Sequence, residues 1–247
     1  MQFEQVEILL LVFIFIIQYT LVMNMVYVAN IQSLADEKVF REQYACVSEY
    51  RQRKVDKMKH PEDKRRSLGA GLLLQKALSD FGIDEKTVSF ETNKNGKPHI
   101  LLGGKGTGAE NLHFNLSHSG DYAMCIIGDS PVGCDVERVR KIDLKLADRF
   151  FAFSEIEQVQ SQPDYEAQVN AFFRLWTLKE SYIKAEGQGL SMGLNTFSVQ
   201  PDSNKIIRDN VEVACSLYEF DVDKSYKFSA CLLGEGKINK RVTIITL

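Results

Sequence analysis

Two acidic residues alternate with other side chains in the segment VGCDVERV, residues 132–139. Because side chains of a strand point alternately to its two faces, Asp135 and Glu137 share one face and lie about 7 Å apart. Carboxylates at that distance repel each other unless a cation lies between them. Mg²⁺ is one such cation, since it takes one or two protein carboxylates and completes its shell with phosphate oxygens and water. The pattern predicts a divalent-metal site, and the alternative is the solvent-exposed edge of a strand.

A third carboxylate lies in the segment LWTLKESYIKAEGQGL, residues 175–190, which has the pattern of a helix. On a helical projection Glu180 falls about 40° from Trp176, within an aromatic stripe. A carboxylate on such a face is costly unless it is paired or bound to a metal. Lys184 follows one turn later, at the spacing of a surface ion pair with Glu180. We expect a charged site here, with the surface pair as the alternative.

Smaller polar groups precede these two segments. Ser117, His118 and Ser119, in NLSHSG at residues 115–120, offer two hydroxyls and an imidazole that suit contact with a phosphate or ribose. The alternative is an ordinary polar turn. A set of basic residues further upstream could hold an anion, although a solvated helix face is the default interpretation. The set comprises Arg51, Lys54, Arg65, Arg66 and Lys97.

Short strands and helices alternate from Met25 onward and must position these groups. A leucine stripe predicts a helix over residues 62–80. The segment YAMCIIGDSPVGCDVERV predicts a hairpin, with strands at 122–127 and 132–137. The long helix is predicted over 164–186, with Asp164 as its N-cap and Gly187 as its stop, and four short strands follow it. The pattern predicts an α+β fold with two similar halves, residues 25–128 and 129–247.

Composition excludes several classes of protein. The net charge of −3 provides no basic field for nucleic acid. The five cysteines are scattered without a CxxC motif, and the four histidines lack metal-ligand spacing, so we expect no zinc site. Free thiols of this kind are typical of a cytoplasmic protein.

The first 24 residues form a hydrophobic extension whose status the sequence leaves open. Residues 8–17, ILLLVFIFII, are ten apolar residues, whereas about 20 are needed to span a bilayer. The preceding MQFEQVE has two acids and no basic residue, unlike a signal peptide. One interpretation is that translation begins at Met23 or Met25. Membrane contact is expected only if residues 8–23 are retained.

Taken together, NLSHSG, VGCDVE and LWTLKESYIKAEGQGL resemble the motifs of the 4′-phosphopantetheinyl transferases of the surfactin-synthetase type. The family pattern is a Gly-x-Asp-x-Glu strand, followed along the chain by a Trp-(Ser/Thr)-x-Lys-Glu-(Ser/Ala)-x-x-Lys helix. The resemblance covers about residues 25–247. It implies two similar α/β halves about a pseudo-twofold axis, with coenzyme A in the cleft between them and Mg²⁺ on its pyrophosphate.

The resemblance also implies roles for individual residues. Asp135, Glu137 and Glu180 match the metal-binding acids, and Asp135, Glu180 and Lys184 form the implied catalytic set. Glu180 matches the candidate base and Lys184 the lysine near the leaving group. The residues that match coenzyme A contacts are Ser117, His118, Lys97, Arg66, Ser67, Arg51, Lys54 and Lys179.

The implied activity is that of a holo-[acyl-carrier-protein] synthase type of enzyme. It transfers the phosphopantetheine arm of coenzyme A, its co-substrate, to a serine of an apo carrier protein and leaves 3′,5′-ADP. We expect a cytoplasmic monomer that requires Mg²⁺. The alternatives are a metal-dependent phosphodiesterase and a non-catalytic coenzyme A-binding protein. Which acyl, peptidyl or aryl carrier is served does not follow from the sequence.

Overall fold

The structure, a computed structural model, describes residues 24–101 and 112–246. Its helices are α1 (Glu37–Cys46), α2 (Glu49–Asp56), α3 (Pro61–Asp80), α4 (Leu146–Phe150), α5 (Phe153–Gln160) and α6 (Tyr165–Glu186). Its strands are β1 (Asn24–Asn30), β2 (Ser89–Thr92), β3 (Pro98–Leu101), β4 (His113–Ser119), β5 (Tyr122–Gly128), β6 (Val132–Arg138), β7 (Phe197–Gln200), β8 (Lys205–Arg208), β9 (Val211–Glu212), β10 (Cys215–Phe220), β11 (Tyr226–Leu233) and β12 (Ile238–Thr246). The predicted α+β class is confirmed.

The hydrophobic extension, with its apolar stretch at residues 8–17, lies outside the described residues except for Asn24. Between residues 24 and 246, as far as the structure describes them, no helix combines the length and the apolar character that crossing a bilayer requires.

The first sheet has the strand order β12-β1-β5-β4 and is covered by α3. Strand β1 pairs in parallel with β12 and antiparallel with β5. The leucine stripe of α3 is buried against this sheet, and Leu73 and Leu78 join Tyr27 and Phe114 in the core. The helix predicted at residues 62–80 is therefore confirmed, beginning one residue earlier at Pro61.

The second sheet has the order β10-β11-β6 and is covered by α6. The predicted caps of α6 are confirmed. The Asp164 carboxylate accepts a hydrogen bond of 2.8 Å from the Ala167 N–H, and Gly187 ends the helix with φ of 68°. A glycine adopts this left-handed conformation without the steric cost that a Cβ would add.

The predicted hairpin of residues 122–137 is wrong. Strand β5 has both of its edges occupied by β1 and β4, whereas β6 pairs with β11. The turn between Asp129 and Pro131 therefore carries the chain from the first sheet to the second. A short turn between two apolar strands predicts pairing, but it carries no information on which edges are already taken.

Six strands follow α6, where four were predicted. The segment VEVACSLYEF divides into β9 and β10 because the chain changes partner: β9 pairs with β8, and β10 pairs with β11. The last strand, β12, joins the first sheet, so that sheet is not built from residues 25–128 alone.

Candidate active site

One cavity of about 380 Å³ lies where β4, β6 and α6 meet. The two acidic segments and the NLSHSG segment, far apart in sequence, all contribute to its wall. The lining residues are Leu116, Ser117, His118, Asp135, Glu137, Trp176, Glu180 and Lys184.

Gly133 allows α6 to lie directly on β6. A Cβ at this position would overlap the main chain of Ser181 and Ala185. The glycine that begins the Gly-x-Asp-x-Glu pattern therefore has a steric function, since it lets the helix that carries Glu180 approach the strand that carries Asp135.

Asp135 is the charged centre of the cavity, with a side chain that is only 5 % exposed. Its Oδ1 accepts hydrogen bonds from Lys184 Nζ at 2.6 Å and from Ser117 Oγ at 2.8 Å. Burial opposes the charge of Lys184, but the Asp135 carboxylate raises the lysine pKa above its ordinary value. Lys184 thus binds Asp135, and no surface pair with Glu180 forms. Asp135 Oδ2 is buried and has no hydrogen-bond partner.

Glu137 and Glu180 are held in a negative environment. Burial raises the pKa of Glu137, and the neighbouring Asp135 raises it further. Burial likewise raises the pKa of Glu180, with further contributions from Asp135 and Glu137 that Lys184 partly offsets. A cation entering the cavity would relieve this repulsion.

The three carboxylates are not assembled as a metal centre. Across the two described ranges, no group of three or more His, Cys, Asp or Glu side chains is placed to hold a metal ion. Mg²⁺ does not require such a cage when substrate phosphates complete its shell, and the unpartnered Asp135 Oδ2 is the type of ligand it prefers. The donor set fits magnesium chemistry, and the metal site stays a prediction.

A polar seam joins the two sheets beside the cavity. Strands β4 and β6 are sheet edges, and side chains of β4 accept hydrogen bonds from main-chain N–H groups of β6. The pairs are Cys134 N to Asn115 Oδ1 at 3.0 Å, Val136 N to Ser117 Oγ at 3.3 Å and Arg138 N to Ser119 Oγ at 3.2 Å. Ser119 also donates to Glu137 Oε2 at 2.9 Å. The serine hydroxyls therefore orient both acidic side chains.

Sequence reasoning did not identify Asn115 as part of the site, and it considered Ser119 only as a polar donor beside Ser117 and His118. The available signal was their two-residue spacing from Ser117, which places all three on one face of a strand.

His118 lies on the face of β4 opposite to Ser117, and it lines the cavity from an exposed position. The surrounding protein removes part of its hydration and lowers the pKa of the imidazole below 6.5, and the charges of Lys184 and Arg66 lower it further. The ring is therefore mainly neutral at pH 7 and lies close to two cations. This environment suits an anionic ligand at the cavity rim.

Of the predicted coenzyme A contacts in the N-terminal half, Ser117 and His118 line this cavity. The others, Arg51, Lys54, Arg66, Ser67 and Lys97, are not among its lining residues. Arg66 pairs with Asp63 at 2.6 Å, and Ser67 follows it at a half-buried position. Arg51 is buried against Glu85 at 3.3 Å, and the Lys54 ammonium lies 4.9 Å from the centre of the Tyr50 ring.

Lys97 is engaged by main-chain carbonyls. Its Nζ donates to Val132 O and to Ala185 O, each at 3.0 Å. Burial lowers the pKa of this lysine to about 8.

The structure does not place Lys179 at a cofactor site, so this prediction is corrected. The side chain is fully buried, and its Nζ lies 2.7 and 2.6 Å from the two oxygens of Glu155 and 2.7 Å from Phe197 O. Neighbouring positions on a helix point about 100° apart, so Lys179 faces the core while Glu180 faces the cavity. Sequence reasoning missed Glu155, whose signal was its position in the first turn of α5, where it accepts from Ala152 N at 2.8 Å.

Two family models match the chain. One, described as the 4′-phosphopantetheinyl transferase superfamily, covers residues 131–231. The other, described as 4′-phosphopantetheinyl transferase, N-terminal, covers residues 35–129.

Individual relatives are similar over most of their length. The 4′-phosphopantetheinyl transferase gsp of Aneurinibacillus migulanus is 34% identical over 211 residues, which is 84% of this chain and 85% of that protein. The 4′-phosphopantetheinyl transferase Sfp of Bacillus subtilis (strain 168) is 33% identical over 189 residues, 75% of this chain and 81% of that protein. The L-aminoadipate-semialdehyde dehydrogenase-phosphopantetheinyl transferase of Xenopus laevis is 29% identical over 202 residues, 76% of this chain and 65% of that protein.

Proposed function

Because the chain belongs to the 4′-phosphopantetheinyl transferase superfamily, we propose that it transfers the phosphopantetheine arm of coenzyme A to a serine of an apo carrier protein. Family membership favours this activity over the phosphodiesterase and the non-catalytic binding protein. The observation that supports a role for these residues is the single cavity that Asp135, Glu180 and Lys184 share.

The reaction is a displacement at phosphorus. A bond forms between the carrier serine Oγ and the β-phosphorus of coenzyme A, which bears the pantetheine arm. The bond from that phosphorus to the bridging oxygen breaks, and 3′,5′-ADP leaves with the electron pair. Catalysis of such a step depends mainly on positioning and on neutralising charge.

Glu180 is the proposed acceptor of the serine proton, either directly or through a water molecule. Burial raises the pKa of Glu180 toward neutral pH. A carboxylate with a higher pKa binds a proton more strongly and is therefore a better general base. Lys184 stays charged because Asp135 lies 2.6 Å from its Nζ, and it would stabilise the negative charge that develops on the leaving group.

Asp135, through its unpartnered Oδ2, and one or both of Glu137 and Glu180 would hold the magnesium ion. When bound, the ion would neutralise charge on the pyrophosphate. His118, beside Lys184 and Arg66, is the proposed contact for a phosphate of the nucleotide. The cytoplasm is the proposed location, supported by five free cysteines.

The test is incubation with coenzyme A, Mg²⁺ and a panel of apo carrier proteins, followed by mass measurement of each carrier. Transfer adds the mass of one phosphopantetheine group to a single serine. Glu180→Gln and Asp135→Ala should each reduce the rate by about 100-fold or more. Glu166→Gln, an exposed acid in the first turn of the same helix, is the matched control and should leave the rate unchanged.

Two outcomes would contradict the proposal. Coenzyme A cleavage that needs no carrier would indicate a phosphodiesterase, and binding of coenzyme A without transfer to any carrier would indicate a binding protein. Near-normal rates in both site variants would refute the residue assignment.

A further inference from the structure

The turn between β2 and β3, residues 93–97, lies against the C-terminal end of α6. This turn comes from the N-terminal half of the chain, whereas α6 carries Glu180 and Lys184. A helix leaves its last carbonyl groups without partners inside the helix, and they must be satisfied from elsewhere.

Side chains of the turn supply those partners. Lys97 Nζ donates to Ala185 O at 3.0 Å, while Asn93 Nδ2 and Asn95 Nδ2 donate to Gly187 O at 3.0 and 3.1 Å. A positive charge at the C-terminal end of a helix is favourable, because the carbonyl groups there carry partial negative charge. The cap of α6 is therefore provided largely by another part of the chain.

The same ammonium group also contacts β6. Lys97 Nζ lies 3.0 Å from Val132 O, the carbonyl of the first residue of that strand. One side chain thus ties the end of α6 to the beginning of β6. These two elements carry Lys184 and Asp135, whose 2.6 Å contact lies at the centre of the cavity.

The turn is built to hold this arrangement. Asn93 Oδ1 accepts from the N–H groups of Asn95 and Lys97, each at 2.9 Å, and Gly96 adopts φ of 87°. The fit against the helix end is close, since a Cβ at Gly187 would lie 3.1 Å from Lys97 Cδ.

We propose that Lys97 is a positioning residue: it sets the placement of α6 relative to β6, and through it the contact between Lys184 and Asp135. The inference rests on the proposed function for the roles of those two residues. It differs from the role that the family resemblance implies for Lys97, which is direct contact with the nucleotide.

The test compares Lys97→Met with Lys94→Met, an exposed lysine of the same turn that serves as the control. A small displacement of catalytic groups can cost up to about 100-fold in rate, so Lys97→Met should lower kcat by about 10- to 100-fold. The KM for coenzyme A should change by less than about threefold, which is small beside the loss in kcat. The preference for coenzyme A over dephospho-coenzyme A, which lacks the 3′-phosphate, should be unchanged.

Hydrogen exchange, measured without substrates, gives a second readout. Amides at residues 183–187 should exchange about tenfold faster in Lys97→Met, since local opening becomes easier when a cap is lost. Asn95→Ala removes one hydrogen bond of the same cap and should increase exchange at these amides by a smaller factor. This variant tests the proposal if Lys97→Met does not fold.

The inference is overturned if Lys97→Met raises KM for coenzyme A but not for dephospho-coenzyme A while exchange at residues 183–187 is unchanged. That result would make Lys97 a nucleotide ligand. If the wild-type chain transfers nothing but the exchange difference is found, the proposed function fails and the positioning of α6 stands.

Discussion

Replacing Lys179 by methionine should destabilise the fold without weakening coenzyme A binding. Lys179 and Glu155 form an ion pair in which both side chains are almost completely buried. Methionine fills much of the same volume but leaves the Glu155 carboxylate without its cation and Phe197 O without its donor.

The size of the effect follows from what remains around Glu155. Removing one partner of a buried pair typically costs about 3–5 kcal/mol. Glu155 keeps hydrogen bonds from Val199 N at 2.7 Å and Ala152 N at 2.8 Å, which favours the lower end of that range. For a chain of this size about 3 kcal/mol lowers Tm by about 6–12 °C.

Thermal unfolding followed by circular dichroism measures the Tm, and isothermal titration measures the affinity for coenzyme A below the transition. The double variant Lys179→Met with Glu155→Gln removes both charges and should recover part of the lost stability. The reasoning is refuted if Tm changes by less than about 2 °C while coenzyme A affinity falls tenfold or more. Lys179 would then act on the ligand.

Three further predictions concern the cavity, its seam and a buried serine of β11. In NMR titrations of the free protein the pKa of His118 should lie below 6.5, its ordinary value. The unfolded chain then binds the proton at a higher pH than the folded one, so this residue makes the protein less stable as the pH falls through 6.5. Adding 3′,5′-ADP should raise this pKa, and an unchanged value would exclude a phosphate contact. Ser119→Ala should lower the free energy of unfolding in urea by about 1 kcal/mol, because Glu137 and Arg138 N each lose a hydrogen-bond partner. The same variant should weaken Mn²⁺ binding measured by electron paramagnetic resonance, because Glu137 is no longer oriented by Ser119. Ser229→Ala should be neutral or stabilising in the same unfolding assay, because the Ser229 hydroxyl is buried without a partner, and a loss above about 1 kcal/mol would show that it has one.

Local pattern was sufficient to predict the main helices. The leucine stripe of α3 and the caps of α6 at Asp164 and Gly187 are properties of neighbouring residues, and the structure confirms them. The carboxylate on the Trp176 face of α6 also drew attention to this part of the helix, because charge on an apolar face requires a partner whatever the fold. Trp176 and Glu180 both line the cavity, and the role of Glu180 at a metal stays a prediction.

Partner choice could not be predicted from local pattern. The pattern of residues 122–137 identified two strands but not the edges to which they pair, and the hairpin prediction failed for that reason. Lys179 and Lys184 are the same residue type on one helix. Only the tertiary fold, which brings Glu155 to the first and Asp135 to the second, gives them different surroundings.

The return of β12 to the first sheet has a consequence for the order in which the molecule is made. Asn24, at the start of β1, hydrogen-bonds to Lys237, which lies 213 residues further along the chain. When the ribosome has reached Leu233, β12 has not been made, so the edge of β1 that β12 covers lacks that strand, although most β1 residues are fully buried in the finished protein. An apolar strand with an open edge invites pairing with other chains. The sheet begun first is thus completed last, and a ribosome stalled shortly before Ile238 would hold a nascent chain prone to aggregate.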